Sequence, residues 1–151
     1  MTEEKEFIQH CSWAMTYCSR AEKCSFDVRK KLTERNVDTP TIEKVIQHLK
    51  NEKFIDDLRY AQAFTREKFK ISKWGKIKIK TMLIQKKIDN ETIKTAFEEI
   101  NADEYQKVLS EIISKKRKTI KDSDSCSVKS KLIRFAGGRG FEPELIFELL
   151  S

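Results

Sequence analysis

A chain of 151 residues with 36% charged and 38% hydrophobic side chains has room for one ordinary domain or a short array of small units, but not for several large cores. Four glycines and two prolines leave turn formers scarce among abundant Lys, Glu, Ile and Leu, which points to an all-α chain. The formal charge of +7 and the pI of 9.2 admit anionic partners without identifying one.

The opening residues, MTEEKEF, have neither the cationic start nor the apolar stretch of a leader. No segment approaches the roughly 18 apolar residues of a membrane span. The expectation is a cytoplasmic protein without membrane association. A first long helix is predicted from about Glu4 to Arg20, followed by an amphipathic segment that begins after Ser25 as N-cap and carries Val28 and Leu32. Val37 then falls in a turn, and Ile42, Val45 and Ile46, behind Thr41 as cap, line the next helix. Cys11, Cys18, Cys24 and Cys126 lack CxxC spacing and are read as reduced, buried or incidental thiols.

A second long helix is predicted from Asp57, its expected cap, to Ser72. Lys76-Ile77-Lys78-Ile79-Lys80 alternates with period two, as an exposed strand would, but Met82 and Leu83 continue from Ile79 at helical spacing and favour helix. Asn90 is the expected cap of the helix after it. A third long helix is predicted from Asp103 to Lys118, then a polar loop over Thr119 to Ser125 as the most flexible point. Pro143 stands in the first turn of the last helix, where its missing N–H costs nothing.

These elements repeat. Adding 51 to Val28, Leu32, Val37, Ile42, Val45 and Ile46 gives Ile79, Leu83, Ile88, Ile93, Ala96 and Phe97. A further 53 gives Leu132, Ala136, Phe141, Ile146, Leu149 and Leu150, and all eighteen positions are apolar. The chain therefore reads as three tandem three-helix repeats, helix-turn-helix-like, over residues 1–53, 54–102 and 103–151. Each unit has only a narrow apolar stripe, so neighbours must stack, which predicts an elongated, curved array.

Chemistry is sparse. His10 and His48 have no partner at metal-ligand spacing. Gly137-Gly138-Arg139-Gly140 lacks the preceding strand and the Lys-Ser/Thr ending of a phosphate loop, and reads as a helix cap or turn. Asp56 and Asp57 read as capping residues rather than metal ligands. No catalytic residue, metal or cofactor is expected. The conspicuous feature is charge: Arg66, Lys68, Lys70, Lys73, Lys76, Lys78, Lys80, Lys86 and Lys87 stand against Glu67 alone, a local net of +8 that leaves −1 for the remainder. Lysines often do no more than solvate a helix face. Here Phe69, Trp74 and the hinge Gly75 interrupt the run, and so large an imbalance repels itself unless an anionic partner or distant carboxylates offset it. Phosphate and an acidic protein would both serve.

Phe54-Ile55-Asp56-Asp57-Leu58-Arg59-Tyr60-Ala61 resembles the most recognisable stretch of the RecX family, and the similarity continues through Arg66, Lys73, Gly75 and Leu83 to Lys87-Ile88. The family usually has Lys-Gly-Ile there. Lys87 in place of Gly predicts a less tight turn. Arg139-Gly140-Phe141 matches the family's Arg-Gly-Phe and is followed by Ile146 and Leu149; Gly137-Gly138 departs from the pattern and is expected to loosen the third unit. The resemblance spans roughly Trp13 to Leu150.

The resemblance implies the same tandem-repeat fold and a monomeric, non-enzymatic regulator. Such proteins bind RecA, lie in the groove of its filament on single-stranded DNA, and inhibit recombinase, ATPase and co-protease activity in DNA repair, recombination and the SOS response. The nine basic residues then form the surface that faces RecA and DNA, with weak direct DNA contact. Asp56, Asp57, Arg59, Ala61, Gly75, Arg139, Gly140 and Phe141 are mainly architectural. The residues alone leave open a stand-alone basic nucleic-acid-binding protein using the same face, and a scaffold for another helical assembly.

Overall fold

The computed structural model describes residues 2–151, which form nine α-helices and no strand. They are α1 (Glu3–Arg20), α2 (Ser25–Glu34), α3 (Thr39–Asn51), α4 (Asp57–Lys70), α5 (Lys76–Gln85), α6 (Asn90–Phe97), α7 (Ala102–Thr119), α8 (Ser125–Gly138) and α9 (Pro143–Leu150). The contacts group them in threes: α1–α3, α4–α6 and α7–α9 each pack among themselves. The accessible surface of 9739 Å² exceeds the roughly 8000 Å² of a compact globule of this mass, which is the mark of an elongated array.

Six of the nine helices start where an N-cap side chain accepts from one of the first free amides, and the four expected caps each lie one to three residues past the observed one. Asp56, Asp38 and Asp89 are the N-caps of α4, α3 and α6, accepting from the N–H groups of Arg59, Thr41 and Thr92. Cys24, not Ser25, precedes α2. Thr41 and Asn90 are themselves helical, and Asp57 is the first helical residue of α4. The expected caps were the residues next to the apolar stripe, whereas a capping carboxylate must stand about three residues ahead of the amide it accepts. Pro143 opens α9 as expected.

Lys76–Lys80 is helical: Ile79 and Leu83 are fully buried, while Ile77 and Ile84 point outward. The alternating pattern arises because this short helix carries an isoleucine on each face. Of the eighteen repeat positions, Val37, Phe97 and Leu150 are half-buried and only Leu149 is exposed. The helix α9 packs more closely on α8 than on α7, and Leu149 lines the open groove left between α7 and α9.

The three turns between the second and third helices are alike. Asn36, Lys87 and Gly140 occupy equivalent places, at φ 64°, 62° and 95°. The following N–H then bonds back to the helix in each: Val37 to Leu32 O at 3.1 Å, Ile88 to Leu83 O at 3.1 Å and Phe141 to Ala136 O at 3.2 Å. The expectation of a looser turn at Lys87 is therefore wrong. The lysine adopts the left-handed conformation that glycine adopts without cost, and the turn closes equally tightly.

The apolar ladder is continuous across only one of the two junctions. One core joins Cys11, Ala14, Val28, Leu32, Ile42, Val45, Ile46, Leu49 and Ile55. The other runs without a break from Tyr60 and Phe69 through Tyr105 and Leu109 to Leu132, Phe141 and Ile146. Between the first and second triplets the links are largely polar, and of the first triplet only Cys24, with the partly buried Phe26, joins the larger core. Asp57 accepts from the Ser25 N–H at 2.9 Å and from its hydroxyl, Arg59 pairs with Glu22 at 2.8 Å, and Lys86 pairs with Asp27 at 2.6 Å.

Candidate functional site

The nine predicted basic residues occupy three places. Arg66, Lys68 and Lys70 lie in the second half of α4 and Lys73 in the turn after it. Lys76, Lys78 and Lys80 lie in the first half of α5, and Lys86 and Lys87 just past its end. There they face the negative pole of α5. On a helix Lys76 and Lys80 share a face and Lys78 points elsewhere.

Their environments divide them further. Two are tied into the fold. The Arg66 guanidinium donates to Glu99 at 2.9 Å, joining α4 to the end of α6, and Lys86 donates to Asp27, whose side chain is 13% exposed. Three stand over aromatic rings. The ammonium groups of Lys68 and Lys78 lie 5.0 and 4.3 Å from the centre of Trp74, and Lys76 lies 4.9 Å from that of Tyr105. Phe64 meets Trp74 edge-on, with centroids 6.4 Å apart. Such placements satisfy an ammonium with ring electrons while leaving its charge uncancelled. Lys70, Lys73, Lys80 and Lys87 make no ion pair among the described residues. Trp74 is thus flanked by two ammonium groups, while four other lysines of the same stretch have no carboxylate partner.

The motif residues lie within the framework beneath. Asp56 caps its own helix, and Asp57 reaches across to the N-terminus of α2. The Arg59 guanidinium bonds to Glu22 and to the Lys53 carbonyl oxygen. Ala61 is fully buried in α4, and Phe141 packs on Tyr105 with ring centres 5.1 Å apart. Arg139 donates to the Ser72 carbonyl at 3.2 Å and covers the Phe135 ring.

Gly75 is not a hinge. It is buried, and its N–H donates to the Arg139 carbonyl at 2.7 Å. The next two amides of α5 are also satisfied from the third triplet: Lys76 N–H by the Tyr105 hydroxyl at 2.8 Å, and Ile77 N–H by the Gly140 carbonyl at 2.9 Å. The hydroxyl of Tyr105 donates in turn to Glu142. The N-terminus of the helix that bears Lys76, Lys78 and Lys80 is thus capped by a different unit.

Sequence reasoning missed these partners because they lie tens of residues away. It also took the charge excess as confined to residues 66–87, and that needs correction. Residues 115–134 carry eight basic residues against Asp122 and Asp124, a net of +6, so the rest of the chain is at −7. Counting in a sliding window would have found it.

Burial pushes the Cys24 thiol up to about 12 and raises those of Cys11 and Cys18, which disfavours the reactive thiolate. Among the described residues no three His, Cys, Asp or Glu side chains are grouped to hold a metal ion, and no helix is long and apolar enough to cross a membrane.

Fold and charge together define a tandem helical-repeat protein whose second unit carries an excess of basic residues. Two family models match, described as the first RecX three-helix domain over residues 12–49 and the second over residues 56–96. The chain is 33% identical to regulatory protein RecX of Clostridium acetobutylicum over 99% of its own length and 71% of the relative's. To that of Clostridium tetani it is 32% identical over 100% and 70%. The chain belongs to the RecX family. A crystal structure of RecX from Lactobacillus salivarius has the same fold, with a TM-score of 0.88 at 19% identity, covering 97% of this chain and 96% of that one. These relatives are named as regulatory proteins, not after a catalysed reaction.

Proposed function

We propose that this chain is a cytoplasmic, non-catalytic regulator of RecA that binds its filament on single-stranded DNA and inhibits recombinase, ATPase and co-protease activity in DNA repair and the SOS response. Membership of the family supports this reading. The observation that carries it here is the stretch from α4 to the turn after α5, where Lys70, Lys73, Lys80 and Lys87 have no carboxylate partner and Lys68 and Lys78 flank Trp74. An elongated monomer with units at 1–53, 54–102 and 103–151 can touch more than one RecA subunit, so that modest contacts add up. Arg66 and Lys86, being tied to Glu99 and Asp27, contribute less to the interface than the other seven.

The test is RecA ATPase on single-stranded DNA with increasing amounts of the purified protein. Inhibition is expected, and it weakens when Lys76, Lys78 and Lys80 are replaced together by Glu. Full inhibition by a folded triple variant removes this face from the mechanism, and no effect of the unaltered protein at saturation removes the RecA reading. Trp74 between two ammonium groups also suits a stacked base, which favours a stand-alone nucleic-acid binder as the second reading. Tight, salt-sensitive binding to DNA without effect on RecA would select it.

A further inference from the structure

The second cationic stretch converges on a groove of its own. Between the C-terminal half of α7, the turn after it and the middle of α8 lies an open groove of about 560 Å³ lined by Lys116, Thr119, Ile120, Lys121, Lys131, Arg134 and Phe135. Four of these seven residues are cationic and none is acidic. Lys131 alone has a carboxylate partner, Asp122 at 3.3 Å, while Lys116, Lys121 and Arg134 make no ion pair among the described residues. Phe135 is half-buried, with the Lys116 ammonium 5.3 Å from its ring centre.

Complementing the negative end of α7 explains Lys116 and its neighbours Arg117 and Lys118. It does not explain Lys121, which lies past that helix, nor Lys131 and Arg134, which lie in the interior of α8 and turn to the same groove. Self-repulsion among these groups is relieved by an anion with several charges along its length. The Phe135 ring at the wall lies under the Lys116 and Arg139 cations, which it holds in place over the groove.

We propose that this groove binds a phosphodiester strand of single-stranded nucleic acid, as a second site separate from the α4–α5 surface. The cations contact successive phosphates. The site rests on its own geometry and does not require RecA.

Fluorescence anisotropy of a labelled oligothymidylate, titrated with the full chain alone over a series of salt concentrations, tests it. The variant Lys116→Gln/Lys131→Gln/Arg134→Gln is expected to bind at least about tenfold more weakly. The slope of log affinity against log salt should fall by about 2, since single strands release roughly 0.7 counterion per phosphate neutralised. A control, Lys30→Gln/Lys44→Gln/Lys50→Gln, removes the same charge from exposed positions of the first triplet and should leave affinity and slope nearly unchanged.

Equal weakening by both variants would mean that net charge alone drives binding, and overturns the site. So does a groove variant that keeps its oligonucleotide affinity but loses affinity for polyglutamate, because the ligand is then an acidic polypeptide. If the triple variant melts early, Arg134→Gln, at an exposed position of α8, must show the same direction at smaller amplitude. RecA is absent throughout, so failure here leaves the filament reading standing, and failure of the ATPase assay leaves this site standing.

Discussion

Gly75 and Gly140 pack backbone against backbone. A Cβ on Gly75 would fall 2.4 Å from the carbonyl carbon and oxygen of Gly140, and one on Gly140 would fall 2.4 Å from Lys78 Cβ. This approach brings the Arg139 and Gly140 carbonyls within reach of the first amides of α5, and it welds the second triplet to the third.

Gly75→Ala should therefore be strongly destabilising, because the atoms it meets are backbone and cannot rotate away. Overpacking of this kind costs about 2–3 kcal/mol, and loss of the two amide bonds adds to it. Gly137→Ala is the opposite case. That residue is helical with nothing within 4 Å of an added Cβ, so alanine should stabilise by about 0.5–1 kcal/mol. Urea denaturation of both variants checks the pair, and a harmless Gly75→Ala would refute the backbone weld.

Asp57→Ala should cost about 1–2 kcal/mol, more than its position as an ordinary first-turn residue suggests. The carboxylate accepts from both the N–H and the hydroxyl of Ser25, 32 residues away, so its loss leaves a half-buried helix start unsatisfied. A double-mutant cycle with Ser25→Ala should show coupling. Strict additivity would mean that the two residues do not interact in solution.

Lys87→Gly should raise stability by up to about 1.6 kcal/mol. Lysine at φ 62° bears a left-handed penalty of roughly 1–2 kcal/mol, of which the greater freedom of glycine in the unfolded chain takes back about 0.4–1 kcal/mol. Thermal melts at matched ionic strength decide it, and a lower melting temperature would show that the Lys87 side chain makes a stabilising contact.

Alkaline pH should expose the buried thiol. Burial raises Cys24 from 9.0 to about 12, so between these values the folded state keeps a proton that the unfolded chain has released. Its stabilising contribution is complete below pH 9.0 and is lost as the pH climbs toward 12. Tyr60 and Tyr105, also raised by burial, act in the same direction from higher pH and remain in the variant. Between about pH 9 and 10, Cys24→Ala should lose less stability than the parent, by up to about 1 kcal/mol. Parallel declines would show that the thiol titrates freely in the fold.

Much of the architecture could be read from local pattern. Ile79 and Leu83, four apart, had to share a face of any helix, and their equivalents Val28, Leu32, Leu132 and Ala136 are all fully buried. The cationic run was equally plain in the sequence. Its division into tied and free charges was not, because Glu99 and Asp27 approach Arg66 and Lys86 from elements 33 and 59 residues away.

The sequence alone therefore determined the helical class, the threefold repetition and most inward positions of the second and third helices of each unit, since these follow from local apolar spacing and its recurrence at offsets of 51 and 53. Tertiary structure alone decided that Asp57 serves α2, that Gly75 is clasped by Gly140, and that a polar junction separates the first core from the other two units. Those outcomes depend on how one unit is rotated on the next, which sets contacts between residues 32 to 67 apart and leaves no periodic trace in the chain.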